Sequence, residues 1–133
     1  MVIPARFVDV MIDQARREFP NEACGLLAVK DSVVTEIYPI RNSDASPVHY
    51  NMDPQEQLRA MLDMEDHGWE LGAIYHSHTH TRAYPSQTDV GLAFYPDAAY
   101  IIISLAQMTA PEVRAFRIVE GKISEEPLET TRD

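Results

Sequence analysis

His76 and His78 stand two residues apart in Glu-Leu-Gly-Ala-Ile-Tyr-His-Ser-His, residues 70–78, whose apolar start and polar end read as the last part of a strand. Strand side chains alternate between faces, so both imidazoles project to one side. There they could share one zinc ion at about 2.0–2.1 Å from each nitrogen. Asp89 is the candidate third ligand, because the loop after His78 returns into a helix whose first turn holds it. Two histidines and one carboxylate, with a fourth position left for water, make a catalytic zinc set; a structural set closes with four protein ligands, often cysteines. The single cysteine, Cys24, cannot supply those. Each part also has a plain alternative. A histidine pair at a strand end can be surface decoration. Ser86 and Asp89, as S-x-x-D at a helix start, match a capping box.

A water activated by zinc, its pKa lowered from about 15.7 to about 7, needs a group to take its proton. A carboxylate that is not a ligand can do this and hand the proton to a leaving amine. Glu22 fits by position, just before the apolar stretch Cys-Gly-Leu-Leu-Ala-Val-Lys, residues 24–30. A lone glutamate in Pro-Asn-Glu is usually an exposed loop residue. His80 reads as a rim residue, with a spare ligand or substrate contact as alternatives. His49 falls in a loop, and His67 near a helix C-terminus is accounted for by the dipole. Cys24 reads as a buried strand residue rather than a nucleophile. Arg41, Tyr50, Arg82 and Tyr84 could line a cleft or simply be solvated.

These groups must be held by a scaffold. Residues 6–19 read as an amphipathic helix, with Phe7, Val10, Met11, Ala15 and Phe19 near helical spacing and Pro20 as the stop. Residues 24–30 and 33–40 read as a hairpin around Asp31-Ser32, and 41–48 as a loop. A short extended piece over 49–52 leads to a helix over 54–67, with Asp53 as N-cap, Pro54 at its first position and Leu58, Met61, Leu62 and Glu65 at helical spacing. Strands follow over 70–78, 99–106, 112–119 and 122–128, with a short helix over 86–95. This mixed order predicts one α/β domain over residues 1–133, a mixed sheet with helices packed on it.

The chain of 133 residues carries 21 acidic and 11 basic side chains, a net charge of −10. Such a surface repels phosphate backbones, so nucleic acid is a poor partner. One cysteine allows no intramolecular disulfide, which fits a reducing compartment. The first residues lack the pattern of a signal peptide, and no apolar run reaches the roughly 18–20 residues that span a bilayer. The expected location is the cytoplasm, with no membrane partner. The oligomeric state is not legible.

The string His76-Ser77-His78, seven residues, Ser86, two residues, Asp89 resembles the signature of the JAMM (MPN+) metalloproteases. Glu22, in Glu22-Ala23-Cys24-Gly25-Leu26-Leu27, resembles that family's separate glutamate. The resemblance runs from the first helix to about residue 128. It implies a cytidine deaminase-like α/β fold. It also implies His76, His78 and Asp89 as ligands of one zinc ion per chain, Glu22 as general base and acid, and Ser86 as a donor to the oxyanion. Within the family, the stretches 21–25, 74–79, 83–86 and 124–127 are most similar to the short actinobacterial Mec-type peptidases. That likeness implies hydrolysis after the C-terminal Gly-Gly of a small ubiquitin-like, β-grasp sulfur carrier, releasing cysteine in a cysteine-synthesis route. Trimming other residues from such a tail is the near alternative, and a non-catalytic, zinc-stabilised binding module a further one. A zinc nucleoside deaminase would share the implied fold, but its H-x-E and P-C-x-x-C pattern is absent.

Overall fold

The computed structural model describes residues 1–132. Its elements are β1 (Val2–Pro4), α1 (Ala5–Glu18), β2 (Cys24–Lys30), β3 (Val33–Ile40), α2 (Pro54–His67), β4 (Glu70–His78), α3 (Gln87–Gly91), β5 (Ala99–Ser104), β6 (Glu112–Val119), β7 (Lys122–Glu126) and β8 (Glu129–Thr131). The strands form one mixed sheet in the order β7-β6-β5-β4-β2-β3-β1-β8. β4 and β5 run parallel, as do β1 with β3 and β1 with β8, and the remaining pairs are antiparallel. Although β7 and β8 occupy opposite ends of that order, residues 127 and 128 alone join them. Three residue steps of extended chain cover only about 10 Å, so the sheet must curl until its two edges approach.

The two faces of the sheet carry separate cores. On one, Phe7, Met11 and Ala15 of α1 pack with Leu27, Val34, Tyr75, Ile101 and Ala115. On the other, Ala60 and Met64 of α2 pack with Cys24, Leu26, Ile40, Ile74 and Tyr100. β4 is buried from Gly72's neighbour Ala73 through His78. Its odd residue Tyr75 faces α1. By the period-two rule His76 and His78 then share the α2 face with Ile74.

Tyr75 and Gln14 lock α1 to the strands behind the site. The Tyr75 hydroxyl donates to Gln14 Oε1 at 2.6 Å, and Gln14 Nε2 donates to the Cys24 carbonyl at 2.9 Å. Gly25 makes this possible, since a Cβ there would lie 2.2 Å from the Tyr75 oxygen. Gly25→Ala is therefore expected to destabilise the fold by about 2 kcal/mol or more, the cost of overpacking a filled interior. A urea midpoint unchanged from the parent would show that the tyrosine ring can move aside.

Several boundaries differ from the sequence reading. β1 is three residues long, too short to show a period, and is held by β3 and β8 rather than by its own pattern. The last segment is two strands, β7 and β8, since the chain leaves one sheet edge at Pro127 and joins the other. Residues 49–52 form only a bridge, Met52 with Asn42. The short helix stops at Gly91, and the apolar residues after it are exposed. The fifth strand ends at Ser104. α2 buries Ala60 and Met64, while Leu58 and Leu62 face solvent: spacing gave the helix but not which stripe meets the sheet. α1 likewise exposes Val10 and buries Gln14 for its hydrogen bonds.

Candidate metal centre and active site

His76 and His78 end β4, where the parallel neighbour β5 supports both, opposite Ile102 and Ser104. Asp89 comes from α3, the third residue of a helix capped by Ser86. The capping box is complete: Ser86 Oγ accepts from the Asp89 N–H at 3.0 Å, and Asp89 Oδ2 accepts from the Ser86 N–H at 2.9 Å. The capping reading of this pair thus holds. The box turns the Asp89 carboxylate back onto the two histidines, 3.2 Å from His76 Nε2 and 2.9 Å from His78 Nε2. One ligand atom from each of the three residues lies within 4.8 Å of the others, so His76, His78 and Asp89 could hold a metal ion.

Their protonation suits a cation. His76 is fully buried, and burial lowers its pKa despite the Asp89 carboxylate, so the ring is neutral. Neither of its nitrogens has a hydrogen bond, because the 3.2 Å approach to Asp89 is poorly directed. Orphaned buried nitrogens are costly, and a metal ion in contact with Nε2 removes one of them. His78 donates Nδ1–H to the Arg82 carbonyl at 2.9 Å, which leaves Nε2 toward Asp89. Burial works against charge on His78, but Asp89 and the Arg82 carbonyl outweigh it and raise its pKa. A metal would take the place of that Nε2 proton, with the Arg82 carbonyl fixing the tautomer. Burial alone would raise Asp89; both imidazoles and the Ser86 N–H overcome it and hold the carboxyl well below its ordinary range.

Glu22 lies across β2 from these groups. Cys24 pairs with His76, and the Ser77 N–H donates to the Ala23 carbonyl at 3.0 Å, so the register carried on by two residues sets Glu22 opposite His78. It is buried rather than a loop residue in water. Burial pushes its carboxyl up to about 8, with the His78 charge opposing and the Asp89 charge adding. Its Oε1 has no partner. The backbone is pinned instead: the Glu22 N–H donates to the Ser46 carbonyl at 2.8 Å, and its carbonyl accepts from Asn42 Nδ2 at 3.1 Å. Asn42 also donates to the His49 carbonyl and accepts from the N–H groups of Asp44 and Asn51, so it ties the whole loop to Glu22. No spacing rule singles out Asn42 in the sequence.

Tyr50 does belong to the site, its ring stacked on His76 at 4.6 Å. Arg82 contributes its carbonyl, while its guanidinium sits over Tyr84. Arg41 is turned away, paired with Asp53. Tyr84 packs on Phe116. His80 is exposed, bonded to Thr79 and outside the ligand cluster, as a rim residue would be. His49 bonds to Ser46 and Asp44, and His67 stacks on Trp69. Cys24 is buried and its thiol is pushed up to about 12, principally by burial, which makes it inert. A hollow of about 670 Å³ is lined by the β2–β3 turn, the start of β4 and the end of β7, and contains none of these groups.

The model of the prokaryotic homologs of the JAB domain matches residues 4–119, and the chain belongs to that family and has its JAMM/MPN fold. The class so defined is that of a zinc-dependent metallopeptidase. Among its relatives, the CysO-cysteine peptidase of Mycobacterium tuberculosis is 44% identical over 130 residues, 96% of this chain and 89% of that protein. The desampylase of Haloferax volcanii is 37% identical over 97 residues, 70% of each chain. A solution structure from Desulfitobacterium hafniense superposes with a TM-score of 0.90 at 40% identity, covering 100% of this chain and 94% of that one. Among the described residues, no helix is long and apolar enough to cross a membrane.

Proposed function

We propose that this chain hydrolyses the amide bond after the C-terminal Gly-Gly of a small ubiquitin-like, β-grasp sulfur carrier in the cytoplasm, releasing cysteine. We take residues 1–133 as one catalytic domain with one zinc ion, held by His76, His78 and Asp89. The observation that carries the reading is the buried Glu22 carboxyl, one oxygen unpartnered, beside a ligand cluster whose His76 nitrogens are also unpartnered. Zinc held by these residues would supply Lewis acidity toward the scissile carbonyl and water. Glu22 takes the proton of the attacking water and passes it to the departing amine as the C–N bond breaks. Ser86 has its oxygen occupied as acceptor for the Asp89 N–H, so its O–H is free to donate to the developing oxyanion. Neutral His76 and ionised Asp89 present the cation with lone pairs rather than protons. Tyr50, stacked on His76, keeps water off that ring.

Substrate identity leans on the relatives. The 44% identity to a CysO-cysteine peptidase favours cysteine as the released residue. The 37% identity to a desampylase supports the second reading, removal of other groups from a ubiquitin-like tail. A non-catalytic binding module would need no buried, unpartnered carboxyl at the cluster, and His80 standing apart argues against a closed four-ligand site.

Intact mass distinguishes these. Zinc-loaded protein with a Gly-Gly-tailed carrier bearing one added cysteine is expected to remove one residue's mass, with the reaction stopped by chelator and restored by zinc. The same carrier bearing a C-terminal alanine or a lysine-linked peptide is expected to react more slowly. Faster cleavage of the linked peptide would move the assignment to the second reading, and an inert protein on all three would favour the binding module.

A further inference from the structure

We propose that an apolar hollow beside His76 is a subsite for the side chain preceding the Gly-Gly pair of the substrate tail, and that it selects a sizeable apolar residue there. This rests on the peptidase reading above. The hollow has a volume of about 250 Å³. Its floor is Ile74 and Tyr100, paired across β4 and β5. One wall is Tyr50, whose ring is stacked on His76. The other is the segment after α3, with Leu92, Phe94 and Tyr95. The hollow and the ligand cluster thus share Tyr50, which lines the one and stacks on His76 of the other.

Apolar and aromatic side chains make up most of its lining, with Asn51 and Gln57 as its two amides. In a chain with a net charge of −10 and 24% charged residues, no charged side chain lines it. Its rim is also unfinished: Phe94 is 72% exposed and Leu92 48%. An apolar rim around an apolar hollow marks a surface that a partner covers. The rim is held in place, because the Leu92 N–H donates to the Asp89 carbonyl and the Tyr95 N–H to the Tyr100 hydroxyl at 3.0 Å. The turn that aims Asp89 at the histidines thus also sets this wall.

Position assigns the side of the scissile bond. Along β4, Ile74, His76 and His78 follow one another on one face, with Glu22 opposite His78. Glu22 hands its proton to the departing amine, so the released residue lies toward His78. The acyl side then runs toward Ile74, which is two strand residues, about 6.6 Å, from His76. Two extended glycines cover the same distance without filling anything. The first side chain that can reach the hollow belongs to the residue before them.

The test uses a β-grasp carrier with tails ending Leu-Gly-Gly-Cys, Ala-Gly-Gly-Cys and Asp-Gly-Gly-Cys, and compares kcat/KM. The zinc-loaded parent is expected to favour the leucine tail over alanine by about tenfold and over aspartate by about 100-fold, the scale of discrimination by an apolar pocket. In the Leu92→Ala/Phe94→Ala variant the leucine-to-alanine ratio should fall to about two. Phe94→Lys should raise the relative rate on the aspartate tail about tenfold. Equal parent rates on all three tails, or an unchanged ratio in the double variant, would overturn the subsite and leave the peptidase reading standing. No cleavage of any tail by the parent would overturn both.

Discussion

Replacing Glu22 by glutamine is expected to lower kcat on a carrier tail by about 1,000-fold, within the range for losing a positioned acid–base group, while zinc content and KM stay near the parent's. Glutamine fills the same volume and keeps the backbone pinned between Ser46 and Asn42, so the ligand cluster is undisturbed. What disappears is the ability to take a proton. The metal-free proteins give a second readout. The Glu22 carboxyl moves from an ordinary 4.5 to about 8, first because it is buried, with the His78 charge opposing and Asp89 adding. A raised folded pKa means that the associated stability is complete below about 4.5 and is lost as pH rises through about 8. The glutamine variant resembles the protonated form at every pH and escapes that loss. Metal-free Glu22→Gln should therefore melt close to the metal-free parent at pH 5 and above it at pH 8.5. Turnover at the parent rate would remove Glu22 from the chemistry. Melting curves that keep the same separation at both pH values would mean that the carboxyl is not held in a dry site.

The reach of the sequence over this site follows from physics at each residue. His76 and His78 are legible because period two is a local rule and the strand they end is apolar from Leu71 to Tyr75. Ser86 and Asp89 are legible as a pair because a capping box is also local; what the sequence leaves open is whether the box does anything else, and the answer depends on β4 lying beneath it. The surroundings of Glu22 are settled by the β2–β4 register, a pairing between segments some fifty residues apart that no local pattern encodes. Asn42 is a hub by virtue of four hydrogen bonds in an irregular stretch, where composition gives only the expectation of a loop. The same division runs through the fold. Caps and stops placed α2 within its bounds, from Asp53 to Gly68. Which stripe of that helix is buried depended on the sheet, and there Leu58 and Leu62 mislead because their hydrophobicity has no partner. β1 and β8 exist through each other and through the curl that brings them together.

Asp89→Asn is expected to weaken zinc binding by at least about 1,000-fold, since changing a group one shell further out already costs 10–100-fold, and to take carrier hydrolysis to background. Asparagine can still accept the Ser86 N–H, so the helical turn should survive. The charge that both histidines face is lost, and with it the largest cause that raises His78. The metal-free proteins separate a ligand role from a merely structural one. In the parent, Asp89 is held well below the ordinary 3.8 of an aspartate, because the imidazoles and the Ser86 N–H outweigh its burial. A lowered folded pKa contributes stability that is present above about 3.8 and is lost as pH falls through the folded value. The metal-free parent should then be more stable than metal-free Asp89→Asn at pH 7, and the gap should narrow as the solution is taken below pH 3. Adding zinc at pH 7 should widen the gap again, by an amount that grows with zinc concentration as mass action requires. A variant that binds zinc as the parent does would place the third ligand elsewhere. Equal stabilities at pH 7 without metal would mean that the carboxylate does not bridge the histidines, and the cluster would then depend on the metal to assemble it.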